Sequence, residues 1–261
     1  MKKPYIVFFD VDNTVYDPVK REVPASTVDA LSKLKAREDT LVAIATGRAF
    51  YMLDIIDPIK DYVDIYVTIN GQLIYEHGHT IHDEAMPKED IALFEKRFKA
   101  HGFNFGYIGK ETQAIHTLDD YAKHMFDTQS LPRPKEDQHF PRHSAVYQMW
   151  AFADEETTRT FDSHHPEYEV VPWNHDGFDL VHLDRHKGGG VLRVLEYYGI
   201  PLENAWGFGD GNNDLPMFQA LKNTVAMDNA EGALKAIAHM VTSACDDDGI
   251  ARALRRLKFI K

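Results

Sequence analysis

A doubly wound parallel α/β sheet, interrupted by an inserted α+β domain, is the fold that this 261-residue sequence predicts. Three observations carry the expectation. Residues 4–9 (PYIVFF) form an unbroken apolar run rich in β-branched and aromatic side chains, the composition of a strand buried on both faces. Strand-like and helix-like segments then alternate as far as residue 75, and the same alternation resumes after Lys187. The stretch between has a different, more polar texture that holds many of the histidines and prolines.

The elements follow in order. After the first strand, the spacing predicts a helix over 25–37, where Val28, Leu31 and Leu34 recur every third residue and Ser26 and Thr27 offer capping oxygens. A strand is expected at 41–45, a helix at 49–59, and strands at 65–69 and 73–75 joined by a tight Asn70-Gly71 turn. This succession implies right-handed crossovers. Residues 83–185 read as the insert, with helices at 87–101, 119–126 and 154–163 and strands near 103–117, 145–153, 168–173 and 178–183. The parent domain, 1–82 and 186–261, closes with helices at 189–198, 213–221 and 230–238 and strands at 205–208, 224–227 and 240–242.

Composition removes several classes of function. Apolar residues make up 44% and charged residues 27%, which excludes a disordered or collagen-like chain. Apolar runs stop far short of the roughly 20 residues that span a bilayer. The N-terminal lysines are followed by a short apolar stretch that meets Asp10 and Asp12, so no export signal is expected. Cys245 is the single cysteine, which excludes an intrachain disulfide and a cysteine-based zinc site and suits a reducing, cytoplasmic setting. Lys plus Arg is 29 and Asp plus Glu is 41, a formal charge of −12 with no basic stripe. That field disfavours nucleic acid and anionic membrane as partners, and nothing indicates an obligate protein partner.

In a doubly wound sheet, ligands bind outside the carboxyl ends of the strands, and four polar groups fall there. Asp10 and Asp12 follow the first strand, and residues i and i+2 of an extended segment project to one side. Two converging carboxylates suggest a hard divalent ion, an acid/base pair, or both. Thr46 ends LVAIA and opens TGR, which brings a hydroxyl, the Gly47 amide and a helix start together, a combination suited to an anionic oxygen. Lys187 precedes Gly188, Gly189 and Gly190 at a helix entry, where a cation opposes the helix dipole and calls for an anion. The string GDGNND places Asp210, Asn213 and Asp214 at another strand end. Carboxylates for a cation, donors for phosphoryl oxygens and a neutralising lysine are the parts of phosphoryl transfer.

FFDVDNTVYD, ATGR, Lys187 and GDGNND resemble the four motifs of the haloacid dehalogenase superfamily. The likeness covers the whole chain, the insert between Thr46 and Lys187 resembles the type C2 cap of the Cof-like subfamily IIB phosphatases, and MDNA at 227–230 resembles a further signature. The resemblance implies a Mg²⁺-dependent hydrolysis of small phosphorylated metabolites, sugar phosphates above all, through an aspartyl phosphate. Asp10 would be the nucleophile and Asp12 the general acid and then base. Asp10, a carbonyl of Val11 or Asp12 with Asp12 favoured, and Asp210 would surround Mg²⁺, with Asp214 supporting them. Val11, Thr46, Gly47, Lys187 and Asn213 would hold the phosphoryl group. Asn13 stands where the family usually has glycine, and asparagine tolerates left-handed backbone angles. Asp12 separates the chain from the haloalkanoate dehalogenases, which lack that second carboxylate. A phosphomutase on the same core and a receiver-like signalling module are the alternative functions.

The remaining features have plainer readings. His77, His79, His82, His164 and His165 lack a carboxylate at HExxH spacing and read as surface histidines. Asp246, Asp247 and Asp248 read as the acidic start of a helix near Ile250. Trp150, Trp173, Tyr147 and Phe178 fall on insert strands, where they either shape a ring-binding pocket or pack a core.

Overall fold

The computed structural model describes residues 4–128, 131–173 and 176–261. The chain divides into two compact units, one of residues 1–48, 53–83 and 185–261, the other of 49–52 and 84–184. No helix among the described residues is long and apolar enough to cross a membrane.

The first unit begins with β1 (Tyr5–Phe9), α1 (Ala25–Lys35), β2 (Thr40–Ala45), β3 (Ile65–Thr68), β4 (Leu73–Glu76) and β5 (His79–Asp83). The second unit follows with α2 (Lys88–Ala100), β6 (Phe105–Gly109), β7 (Gln113–Ile115), α3 (Asp120–Thr128), β8 (Lys135–Glu136), α4 (Phe140–His143), β9 (Val146–Ala151), α5 (Glu155–Thr160), β10 (Tyr168–Pro172) and β11 (Phe178–His182). The chain returns to the first unit with α6 (Lys187–Tyr198), β12 (Ala205–Gly209), α7 (Leu215–Ala220), β13 (Asn223–Ala226), α8 (Gly232–Ile237), β14 (Met240–Val241) and α9 (Gly249–Arg256).

In the first unit the sheet order is β14-β13-β12-β1-β2-β3-β4-β5, parallel from β14 to β3 and antiparallel at β4 and β5. The expected doubly wound sheet is therefore present, with β1 in its interior. Ile6 and Phe8 pack on one face with Val191, Val194, Met217 and Leu234 from α6, α7 and α8. Val7 and Phe9 pack on the other face with Leu31, Leu34, Ile250 and Leu254 from α1 and α9. Both faces of β1 being covered explains why its sequence is continuously apolar rather than alternating. The register Phe9↔Ile44 and Phe9↔Phe208 ends β1, β2 and β12 at one edge, so the residues that follow them converge there.

Several local expectations are corrected. Residues 49–59 do not form an α-helix: a 3₁₀ stretch runs over Phe50–Tyr62, broken at Ile56 (φ −107°) two residues before Pro58. Proline there lacks an amide proton and its ring crowds the preceding turn. Ser26 and Thr27 do not cap α1. Pro24 holds the cap position with no side-chain bond, its carbonyl accepts from the amides of Thr27 and Val28, and Thr27 is buried. β5 (HTIHD) is a polar edge strand without apolar alternation, and its sequence gave no strand signal. The acidic run at 246–248 agrees with expectation: it is exposed and directly precedes α9, with Asp248 at its start in a left-handed conformation without a capping bond and Asp247 paired with Arg252 at 2.7 Å.

In the second unit the sheet order is β10-β11-β9-β6-β7-β8. One face carries Phe105, Tyr107, Met149, Ala151 and Phe178 against Phe94 and Phe98 of α2, which places Phe178 in a packed core. Trp150 lies across Gly106 and among the rings of Phe126, Phe152 and Trp173, at centroid distances of 5.3–5.9 Å, and is itself buried. His165 is not a free surface group: it meets the Phe94 and Tyr168 rings and stands 3.4 Å from Asp90, whose other oxygen accepts from the Tyr168 hydroxyl at 2.8 Å.

Asp179 is paired in register with Trp150 and bonded to the side chains of Trp173 and Gln148. Burial pushes its carboxyl up to about 6 against the lowering effect of those two bonds. The folded form thus binds a proton more tightly than the unfolded chain, and stability falls as pH rises from about 4 to about 6. Asp179→Asn is expected to stabilise the protein by about 1–2 kcal/mol at pH 7, with the gain shrinking below about 0.5 kcal/mol at pH 4. Parallel denaturant titrations of the two proteins at both pH values check this; an equal gain at both would remove ionisation as the cause.

Candidate active site

The site is built at the carboxyl edge of β1, β2 and β12. Asp10 follows β1 directly, and its amide donates to the Phe208 carbonyl at 2.9 Å, which ties it to β12. Lys187 opens α6 and is fully buried. Its Nζ donates to Asp10 Oδ1 at 2.5 Å and to Asp214 Oδ1 at 2.7 Å. Asp214 Oδ2 accepts from the amides of Asp210 and Gly211, each at 3.0 Å, so both of its oxygens are occupied. Gly209 is required here, because a Cβ on it would stand 2.6 Å from that same Oδ2.

Asp10, Asp210 and Asp214 each bring one carboxylate oxygen within 4.8 Å of the others. Burial raises the Asp10 carboxyl well above the usual range, reinforced by Asp214 and only partly offset by Lys187. Burial and Asp214 likewise raise Asp210 to about 7. For Lys187 burial favours the neutral amine, yet the Asp10 and Asp214 carboxylates overcome it and raise its pKa. An all-oxygen donor set holding more negative charge than one ammonium can neutralise is the chemistry of a hard divalent cation. The residues present fit such an ion: Asp10, Asp210 and Asp214 each offer one carboxylate oxygen to the cluster, and Asp210 is not held by Lys187.

Asp12 departs from a simple projection beside Asp10. Its two oxygens are gripped by Arg48, Nε to Oδ2 at 2.8 Å and Nη2 to Oδ1 at 2.8 Å, and the Arg48 side chain is nearly buried. Asn13 adopts the left-handed conformation (φ 54°) that its tolerance suggested. Val11 is buried, and its carbonyl accepts from the amides of Thr14, Val15 and Tyr16. Thr46 is buried, its amide bonded to the Val67 carbonyl, and its hydroxyl accepts from the Arg48 amide at 3.1 Å. Gly47 lies against the Asn70 side chain, where a Cβ would come within 3.2 Å of Oδ1. Asn213 is exposed, its side-chain oxygen close to Gly211.

The structure thus gathers Asp10, Lys187, Asp210 and Asp214 directly, while Asp12 pairs with Arg48, whose amide donates to the Thr46 hydroxyl. Sequence reading overlooked Arg48, Thr14, whose hydroxyl donates to Asp210 Oδ1 at 3.3 Å, and Asn229, which reaches the same carboxylate. Arg48 closes ATGR, Thr14 lies in FFDVDNTVYD and Asn229 in MDNA, so all three stand in motifs singled out above, without a role assigned to them there.

A family model for haloacid dehalogenase-like hydrolases matches residues 7–254. The chain belongs to this hydrolase family. As a haloacid dehalogenase-like hydrolase it is 29% identical over 260 residues to the putative phosphatase YkrA of Bacillus subtilis, covering 98% of each chain. It is 26% identical to the pyridoxal phosphate phosphatase YbhA of Escherichia coli, covering 95% of this chain and 96% of that one. Among solved structures, the subclass IIB sugar phosphatase BT4131 superposes with a TM-score of 0.88 at 26% identity, over 98% of this chain and all of that chain. This haloacid dehalogenase-like hydrolase is a phosphatase of subclass IIB.

The position of Lys187 in this hydrolase depends on a close approach of two backbones. A Cβ on Gly190 in α6 would stand 2.6 Å from Gly71 Cα and 2.6 Å from Val67 Cγ1, while Gly71 itself has φ +96°. Gly190→Ala is expected to lift the start of α6 and cost about 1–3 kcal/mol. A lower Tm together with a fall in phosphatase turnover checks this; unaltered values of both would show that α6 has room to shift.

Proposed function

We propose that the protein hydrolyses small phosphorylated metabolites, sugar phosphates foremost, through an aspartyl phosphate on Asp10 with Mg²⁺ bound beside it. The observation that carries this reading is the buried Lys187 ammonium shared by Asp10 and Asp214, with Asp210 alongside. Lys187 holds Asp10 Oδ1, which leaves Oδ2 as the attacking atom. Oδ2 bonds to phosphorus as the ester oxygen leaves, and Asp12, having taken up a proton from solvent beforehand, passes it to that oxygen. Asp12 then takes a proton from water, whose oxygen displaces Asp10 and releases phosphate. A carboxylate nucleophile needs no neighbouring base at neutral pH, unlike a serine.

Asp10, Asp210 and the Asp12 carbonyl would hold Mg²⁺, with Asp214 fixing Lys187 and the Asp210 amide behind them. The Asp12 carbonyl is favoured over that of Val11, which already accepts three backbone amides. When bound, the ion supplies positive charge that keeps Asp10 and Asp210 ionised and offsets charge on the transferring phosphoryl group. Val11, Thr46, Gly47, Lys187 and Asn213 would grip the phosphoryl oxygens. In the structure both Asp12 oxygens are paired with Arg48, a contact that Asp12 would leave to reach the ester oxygen. Residues 83–185 would act as the cap that selects the leaving group. The substrate class rests on the names of the relatives, a pyridoxal phosphate phosphatase and a sugar phosphatase among them.

Phosphate release from hexose and pentose phosphates, pyridoxal phosphate, flavin mononucleotide and p-nitrophenyl phosphate tests the reading. Wild type is expected to turn over only with Mg²⁺, and Asp10→Asn to fall below about one thousandth of its rate. Full activity in Asp10→Asn would remove it as nucleophile. Retention of a phosphoryl group without release would favour the mutase or signalling alternative.

A further inference from the structure

One amide side chain joins three stretches of the first unit. Asn229 follows β13, and its Nδ2 donates to the Asn13 carbonyl at 3.0 Å and approaches Asp210 Oδ2 at 3.4 Å. Its Oδ1 accepts from the Cys245 amide at 3.0 Å. The orientation of this amide is dictated by its partners. A backbone N–H can only donate, so the side-chain oxygen faces Cys245 and the NH₂ is turned to two acceptors, which its two protons satisfy. Asn13 follows Asp12 directly and holds φ 54°. The other Asp210 oxygen accepts from Thr14 on the same loop. The Asp210 carboxylate is therefore held between two neutral donors, one within the loop after β1 and one bonded to it. Neither adds charge, so what they supply is direction.

We infer that Asn229 is a positioning residue for the divalent-cation site: it locks the Asp210 carboxylate to the loop that carries Asp10 and Asp12 and so fixes the spacing of the ligands. This rests on the cation-dependent reading of the site given above. Groups that orient metal ligands from behind are typically worth about 10–100-fold in metal affinity.

The test is Mn²⁺ binding to the full-length, substrate-free protein, read by electron paramagnetic resonance, with metal-free Tm measured in parallel. Asn229→Ala is expected to raise the Mn²⁺ Kd at least about tenfold, and Asn229→Ser, which keeps one shorter donor, by less. A lower Tm with an unchanged Kd would overturn the inference and leave Asn229 a structural tie. If the alanine protein does not fold, an unchanged Kd in the serine protein overturns it equally. Should wild type bind no Mn²⁺, the cation reading of the site falls and this inference with it. Should wild type bind and the variants match it, the inference alone falls.

Discussion

The geometry of the site depends on one buried ammonium. Lys187 is the first residue of α6, where the helix dipole works against a positive charge, and it is taken wholly out of water. Two carboxylates at 2.5 and 2.7 Å make that placement tolerable. With Asp10, Asp210 and Asp214 ionised, the four groups sum to −3 + 1 = −2. In that ionised state the cluster would carry the charge that one divalent cation balances, whereas burial, which raises Asp10 and Asp210, favours their protonated forms. Arg48 and Asp12 form a separate neutral pair beside the cluster and leave its charge unchanged.

The fold supplies the rigidity that such a cluster needs. β1 is covered on both faces and hydrogen-bonded along both edges, so the residue leaving its end has little freedom. Asp10 is tied to Phe208, Asp214 is tied to the amides of Asp210 and Gly211, and α6 is pressed against Gly71 through Gly190. Each tie is backbone-mediated or glycine-dependent, which sets the spacing of the carboxylates more firmly than side-chain packing alone would.

What the sequence made legible follows from how local each signal is. The apolar strands announced β1, β2 and β12, and Asp10 and Asp210 were readable because they stand immediately beyond those runs. Lys187 was readable from the glycine-rich helix entry, although nothing local reveals that its head lies between Asp10 and Asp214. Arg48, Thr14 and Asn229 act on partners 36, 196 and 19 residues away, and no periodicity encodes such pairings. Ser26 and Thr27 misled because propensity for a cap does not override the burial of Thr27. β5 was invisible because a polar edge strand draws on backbone bonds rather than on an apolar face. Pro58 is the local signal against the expected helix at 49–59, because proline supplies no amide proton to a helical turn.

The topology also orders events during synthesis. Ile6 on β1 pairs with Ala205 on β12, so one edge of the interior strand has no native neighbour until the ribosome has passed the entire second unit. Until then an almost wholly apolar strand carries an open row of amides and carbonyls, the kind of edge that invites wrong pairings. The second unit has its own aromatic core and can gain structure during that interval. Its insertion therefore sets a waiting time: the longer the insert, the longer the nascent β1 must be kept from other strands, and Asp10 has no lysine beside it until the wait is over.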